Sequence, residues 1–158
     1  MVQKIHLHST IQMFDDLSAI YFEIPARDAL GRQHVTGKLL AAKDKVRLYW
    51  KLKNNTFKKA GEEMQTIEIE YDNIESAEIK STLGLFKHRL ILKVSDPRPL
   101  QDIPGTDVGR ATLMLMNKNG RLDARRFIKL VDYRKSEAEA TQMRSRLSDL
   151  ENQTPGSL

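Results

Sequence analysis

The chain is predicted to be mainly β with a C-terminal α-helix: a curved antiparallel sheet or partly open barrel, capped at one end. Three observations carry this. From Ser18 onward apolar residues recur at every second position, polar turn residues break that pattern into short segments, and the period becomes helical only after Gly120. Successive short strands followed by one helix with a narrow apolar stripe bury both sets of apolar side chains when the helix closes a curved sheet.

Each element follows from its own pattern. Ile20, Phe22 and Ile24 alternate before Pro25, and Arg27-Asp28-Ala29-Leu30-Gly31-Arg32 reads as a turn into a strand over 35–42. Lys43-Asp44 is a tight turn. After it Val46, Leu48, Trp50 and Leu52 face one way while Arg47, Tyr49, Lys51 and Lys53 face the other. A polar loop through Asn54-Asn55 and Gly61 leads to Ile67, Ile69 and Tyr71, and a further strand runs through Ala77 and Ile79. Leu90, Leu92 and Val94 alternate up to Asp96-Pro97, where proline ends the ladder. The connection over 97–109 has room for a short edge strand near Leu100 to Ile103, and the last strand covers 111–116.

Beyond Asn117-Lys118-Asn119-Gly120, the residues Ala124, Phe127, Leu130 and Val131 fall on one helical stripe. Ser136-Glu137-Ala138-Glu139 has the spacing of a capping box, which would start a second helix; one helix with a bend is the other reading. Ala140, Met143, Leu147 and Leu150 extend an apolar stripe to about Glu151, and 152–158 is expected to be disordered.

Composition narrows the function classes. A chain of 158 residues has the size of one domain and can bury roughly 70% of its unfolded surface. It contains no cysteine, which removes disulfides, thiolate nucleophiles and thiolate metal sites, and fits a reducing compartment. The opening residues lack the apolar core of a secretory signal, and no stretch approaches the ~20 apolar residues of a membrane span. A cytoplasmic location is expected, with the membrane periphery as the alternative. The net charge of +5 is too small to announce a nucleic-acid binder. There is no phosphate-cradling glycine loop, nucleophile elbow or His-Glu metal helix, and Asp15-Asp16 and Glu62-Glu63 are adjacent rather than convergent. No catalytic residue, cofactor or metal site is expected, and a small-molecule substrate is disfavoured. His6 and His8 stand two apart, as two ligands on one strand face would, but no further ligand completes the set.

Two stretches carry a resemblance. Gly37-Lys38-Leu39-Leu40-Ala41-Ala42-Lys43-Asp44-Lys45-Val46-Arg47-Leu48-Tyr49-Trp50 looks like an opening hairpin, and Ile69-Glu70-Tyr71-Asp72-Asn73-Ile74-Glu75-Ser76-Ala77 like a third-to-fourth strand passage. Both resemble the pleckstrin-homology-like superfamily, including its GRAM and bacterial branches, and 117–131 resembles the exit into that fold's helix. The resemblance implies seven strands in two packed sheets with a C-terminal helix plugging one open end. It covers about 35–135, leaving 1–34 as a strand-containing N-terminal extension and 136–151 as helix or helix continuation.

Two surfaces are candidates. Lys43, Lys45, Arg47, Lys51, Lys53, Lys58 and Lys59 form the densest basic run, on the hairpin that the resemblance would make an anionic-headgroup site. The ordinary reading is that Glu68 and Glu70, on a neighbouring strand, pair with Arg47, Lys51 and Lys53 across the sheet. Leu83, Leu85 and Phe86, beside Lys87, His88 and Arg89, form the candidate interface, with a tucked, buried turn as its ordinary counterpart. The expected function is a non-catalytic binding or scaffold module acting through a protein partner or homo-oligomer. Attachment to an anionic membrane surface is the alternative, and nucleic acid is disfavoured because few aromatics are placed for base stacking.

Overall fold

A computed structural model of the chain describes residues 19–53, 64–81 and 87–153. Among these described residues seven strands precede one α-helix. The strands are β1 (Ile20–Ile24), β2 (Val35–Ala41), β3 (Lys45–Leu52), β4 (Gln65–Glu70), β5 (Ile74–Ser81), β6 (His88–Val94) and β7 (Arg110–Leu115), and the helix is α1 (Gly120–Gln153). Every strand pair is antiparallel, in the order β4-β3-β2-β1-β7-β6-β5. The mainly β class with a C-terminal helix is what the alternation predicted.

The order forces the sheet to curl. β4 and β5 are its two edges, yet only the 3-10 turn Tyr71–Asn73 joins them. A flat seven-stranded sheet would hold its edges roughly 29 Å apart, whereas three residues span about 10 Å. The edges therefore converge at this turn while forming no ladder with each other, so the sheet is strongly curved but not closed.

The concave side collects the alternating apolar residues. Phe22, Leu39, Leu48, Ile69, Leu90, Leu92 and Leu113 are each exposed by less than 2%. α1 contributes Ala124, Phe127 and Val131 to the same core and packs against β1, β2, β5, β6 and the Tyr71–Asn73 turn. Lys135 Nζ, one turn further on, donates to the Ile74 carbonyl at 2.7 Å. Tyr71 is buried, and its hydroxyl donates to the Ala42 carbonyl, tying the junction of β4 and β5 to the end of β2.

The strand of Ile20, Phe22 and Ile24, read from sequence with the segment before the core, lies mid-sheet. β1 pairs with β2 along its whole length and with β7 through Phe22 and Glu23. No edge strand forms near Leu100 to Ile103. That segment is a 3-10 turn, Arg98–Leu100, followed by turns, because Leu100 and Ile103 are anchored in the core and the Thr106 hydroxyl bonds both of their carbonyls. Ser136 starts no second helix. Its hydroxyl donates to the Asp132 carbonyl four residues back, at 3.0 Å, and α1 runs through it unbroken. Asn152 and Gln153 belong to α1, and the rest of the expected disordered tail lies outside the described residues.

Candidate interaction surfaces

The convex side of β4, β3, β2 and β1 carries the basic run. On β3 the residues Lys45, Arg47, Tyr49 and Lys51 point outward between the buried Val46, Leu48 and Trp50. The β3–β4 register places Lys45 opposite Glu70 and Arg47 opposite Glu68. Lys45 Nζ lies 3.0 Å from Glu68 Oε2 and 3.4 Å from Glu70 Oε1, and Arg47 Nε lies 3.4 Å from Glu68 Oε1. The hydrogen bond from Lys45 holds the Glu68 carboxyl below its usual range, and the same bond raises the Lys45 ammonium.

Lys51 and Lys53 do not pair with Glu68 or Glu70. The β3–β4 ladder ends at Trp50 opposite Gln65, so Lys51 is beyond its reach and faces Thr36 on β2. Lys53 turns instead to Glu23 on β1, with Nζ 3.1 Å from Oε1. His34 Nε2 stands 3.2 Å from the other carboxylate oxygen, in ion-pair range but not aligned as a hydrogen bond. Burial alone would raise the Glu23 carboxyl. The hydrogen bond and charge of Lys53, with His34 beside it, outweigh burial and leave it lowered. Among the described residues Lys51 has no carboxylate partner within ion-pair distance. Lys38 lies over the Tyr49 ring at 5.1 Å, covering the centre of this face with a cation–π contact.

Lys43 occupies the turn between β2 and β3, closed by the Ala42 N–H donating to the Lys45 carbonyl at 3.0 Å. It borders a wide, open depression between that turn and α1, with Tyr71, Arg134, Glu137 and Thr141 on the other walls. Hydrogen bonds from Arg134 and Tyr133, with Lys43 nearby, lower the Glu137 carboxyl. Lys58, Lys59, Leu83, Leu85 and Phe86 lie outside the described residues, as do His6 and His8. Among the described residues no three His, Cys, Asp or Glu side chains gather as metal ligands, and no helix is long and apolar enough to cross a membrane.

A different surface emerges on α1. Its first half is sunk into the sheet as far as Val131, whereas every residue from Ser136 to Gln153 is exposed. Met143, Leu147 and Leu150 are exposed by 64%, 61% and 62%. At 100° per residue these three and Ala140 form a stripe roughly 150° around the helix from Ala124, Phe127 and Val131. Met143, Leu147 and Leu150 therefore point away from the protein body, while Ala140 borders the depression shared with Lys43 and Tyr71.

Neither a protein-family model nor a curated protein matches the chain.

Proposed function

We propose that the chain is a non-catalytic, pleckstrin-homology-like scaffold module that works through protein–protein contact or self-association, using the projecting half of α1. The carrying observation is the exposed stripe of Ala140, Met143, Leu147 and Leu150 on a helix segment that buries nothing against its own sheet. Apolar side chains aligned on one face of an amphipathic helix are a standard means of engaging a partner. An isolated helix of this length is marginal in water, so a partner would also stabilise it. The antiparallel strand order, the converging edges at Tyr71–Asn73 and the helix seated at that junction support the pleckstrin-homology-like part of the reading.

The alternative, attachment to anionic lipid through the basic hairpin, has less to draw on. Lys45, Arg47 and Lys53 are held by carboxylates, which leaves Lys43 and Lys51 among the described cations of that run. Sedimentation with anionic vesicles is expected to show no salt-sensitive binding.

The contact reading is tested on the full chain in native extract by crosslinking and size analysis. Wild type is expected in an assembly larger than a monomer and the M143E/L147E double variant at monomer size, with the two purified chains melting alike at low concentration. A wild type that is uncrosslinked and of monomer size in extract, and that stays monomeric when purified and concentrated, overturns the reading.

A further inference from the structure

We infer that the occupant of this stripe is a second copy of the same chain, bound in parallel, α1 against α1 and in register. The inference rests on the reading that the projecting half of α1 is the contact surface, and adds the identity and orientation of the partner.

The spacing is that of a two-stranded coiled coil. Ala140, Met143, Leu147 and Leu150 are separated by three, four and three residues, the alternation that keeps a seam facing a partner helix. Residues flanking such a seam then choose the partner. On one flank stand Glu139 and Arg146, and on the other Arg144 and Glu151. All four are exposed, and none is in an ion pair among the described residues. In a parallel, in-register pair each residue of the first flank meets the residue of the second flank five positions later on the other helix. Glu139 then meets Arg144 of the second copy, and Arg146 meets its Glu151. Both contacts join opposite charges, and each occurs twice by symmetry.

The antiparallel alternative that keeps all four seam residues in contact fails on the same residues. Aligning Leu147 with Met143 and Ala140 with Leu150 in opposite directions brings Arg146 against Arg146, Arg144 against Arg144 and Glu137 against Glu151. Like charges would face one another along the seam, which selects against that pairing. Geometry also suits the parallel pair. Because the stripe lies opposite the buried face of α1, the two sheets would sit on the outer sides of the helix pair, clear of each other. The seam is short, about 27 Å from Ser136 to Gln153. A dissociation constant on the order of 10–100 µM is expected.

Sedimentation velocity on the purified full chain, from about 5 to 500 µM, tests this. Wild type is expected to pass from monomer to dimer across the series. R146E and E151R, both exposed and outside the core, should each weaken association at least tenfold, and an equimolar mixture of the two should restore it. A wild type that stays monomeric throughout overturns the second-copy inference; if M143E/L147E still dissolves an assembly in extract, the contact surface stands and its occupant is another protein. Stronger association of E151R alone would replace the parallel pair with the antiparallel one. Dimers insensitive to M143E/L147E would place self-association elsewhere on the molecule and overturn the inference.

Discussion

Glu23 joins three strands at one carboxylate: it sits on β1, receives Lys53 from the end of β3 and stands beside His34 at the start of β2. Its side chain is 17% exposed, so protonating it removes links that water replaces poorly. The carboxyl is lowered from its ordinary value of 4.5, so its contribution is complete above that value and is lost as pH falls through the depressed folded one. Melting temperature measured against pH should therefore fall on acidification below about 4.5. Glu23→Gln should lose about 1 kcal/mol at neutral pH and show a shallower acid decline. A Glu23→Gln curve parallel to wild type would remove Glu23 from this account. Gly37 is a steric case rather than an electrostatic one. A Cβ there would stand 2.1 Å from the Tyr49 carbonyl oxygen and 2.7 Å from the tip of the Phe22 ring. Gly37→Ala is expected to destabilise by about 1–3 kcal/mol in urea unfolding, because backbone and a buried ring must both move.

At the scale of elements, α1 divides into a half that belongs to the core and a half that does not. Phe127 is 2% exposed beneath the helix, so Phe127→Ala should cost about 3–5 kcal/mol. Leu147→Ala, at 61% exposure, should change monomer stability by less than about 0.5 kcal/mol. Equal losses at the two positions would contradict this division. The strands were legible in the sequence because period two and burial coincide: Val46, Leu48 and Trp50 alternate with outward residues as their pattern required. The unbroken helix was not. Ser136 with Glu139 has the spacing of an N-terminal cap, and only the bond from its hydroxyl to Asp132 reveals a mid-helix serine. The short strand expected at Leu100 failed for a related reason, since two apolar residues three apart fit a buried turn as well as a strand edge.

For the whole molecule, the sheet and the first half of α1 form one packed unit, and the projecting half is an appendage. A chain ending after Ser136 should keep its melting temperature within a few degrees at low concentration and lose any concentration-dependent association. Circular dichroism melts combined with sedimentation would check both, and loss of the folded sheet would show that the appendage supports the core. The candidate site was legible only in part. The pairing of Arg47 with Glu68 follows from strand alternation, but Glu23 was missed as the partner of Lys53, because no local pattern reveals that β1 lies two strands away on the same convex face. The apolar stripe was visible as spacing. Its outward direction became apparent only once Ala124, Phe127 and Val131 fixed which side of the helix the sheet occupies.

The position of β1 between β2 and β7 has a consequence for synthesis. One side of β1 is satisfied early by its neighbour in sequence, while the strand that covers the other emerges about 90 residues later. Until β7 arrives, a nascent chain carries an open row of amide and carbonyl groups next to Phe22, the kind of template on which stray strands add. Holdase chaperones would find their natural target in that interval, and conditions that stall translation between residues 41 and 110 should promote aggregation of the incomplete chain.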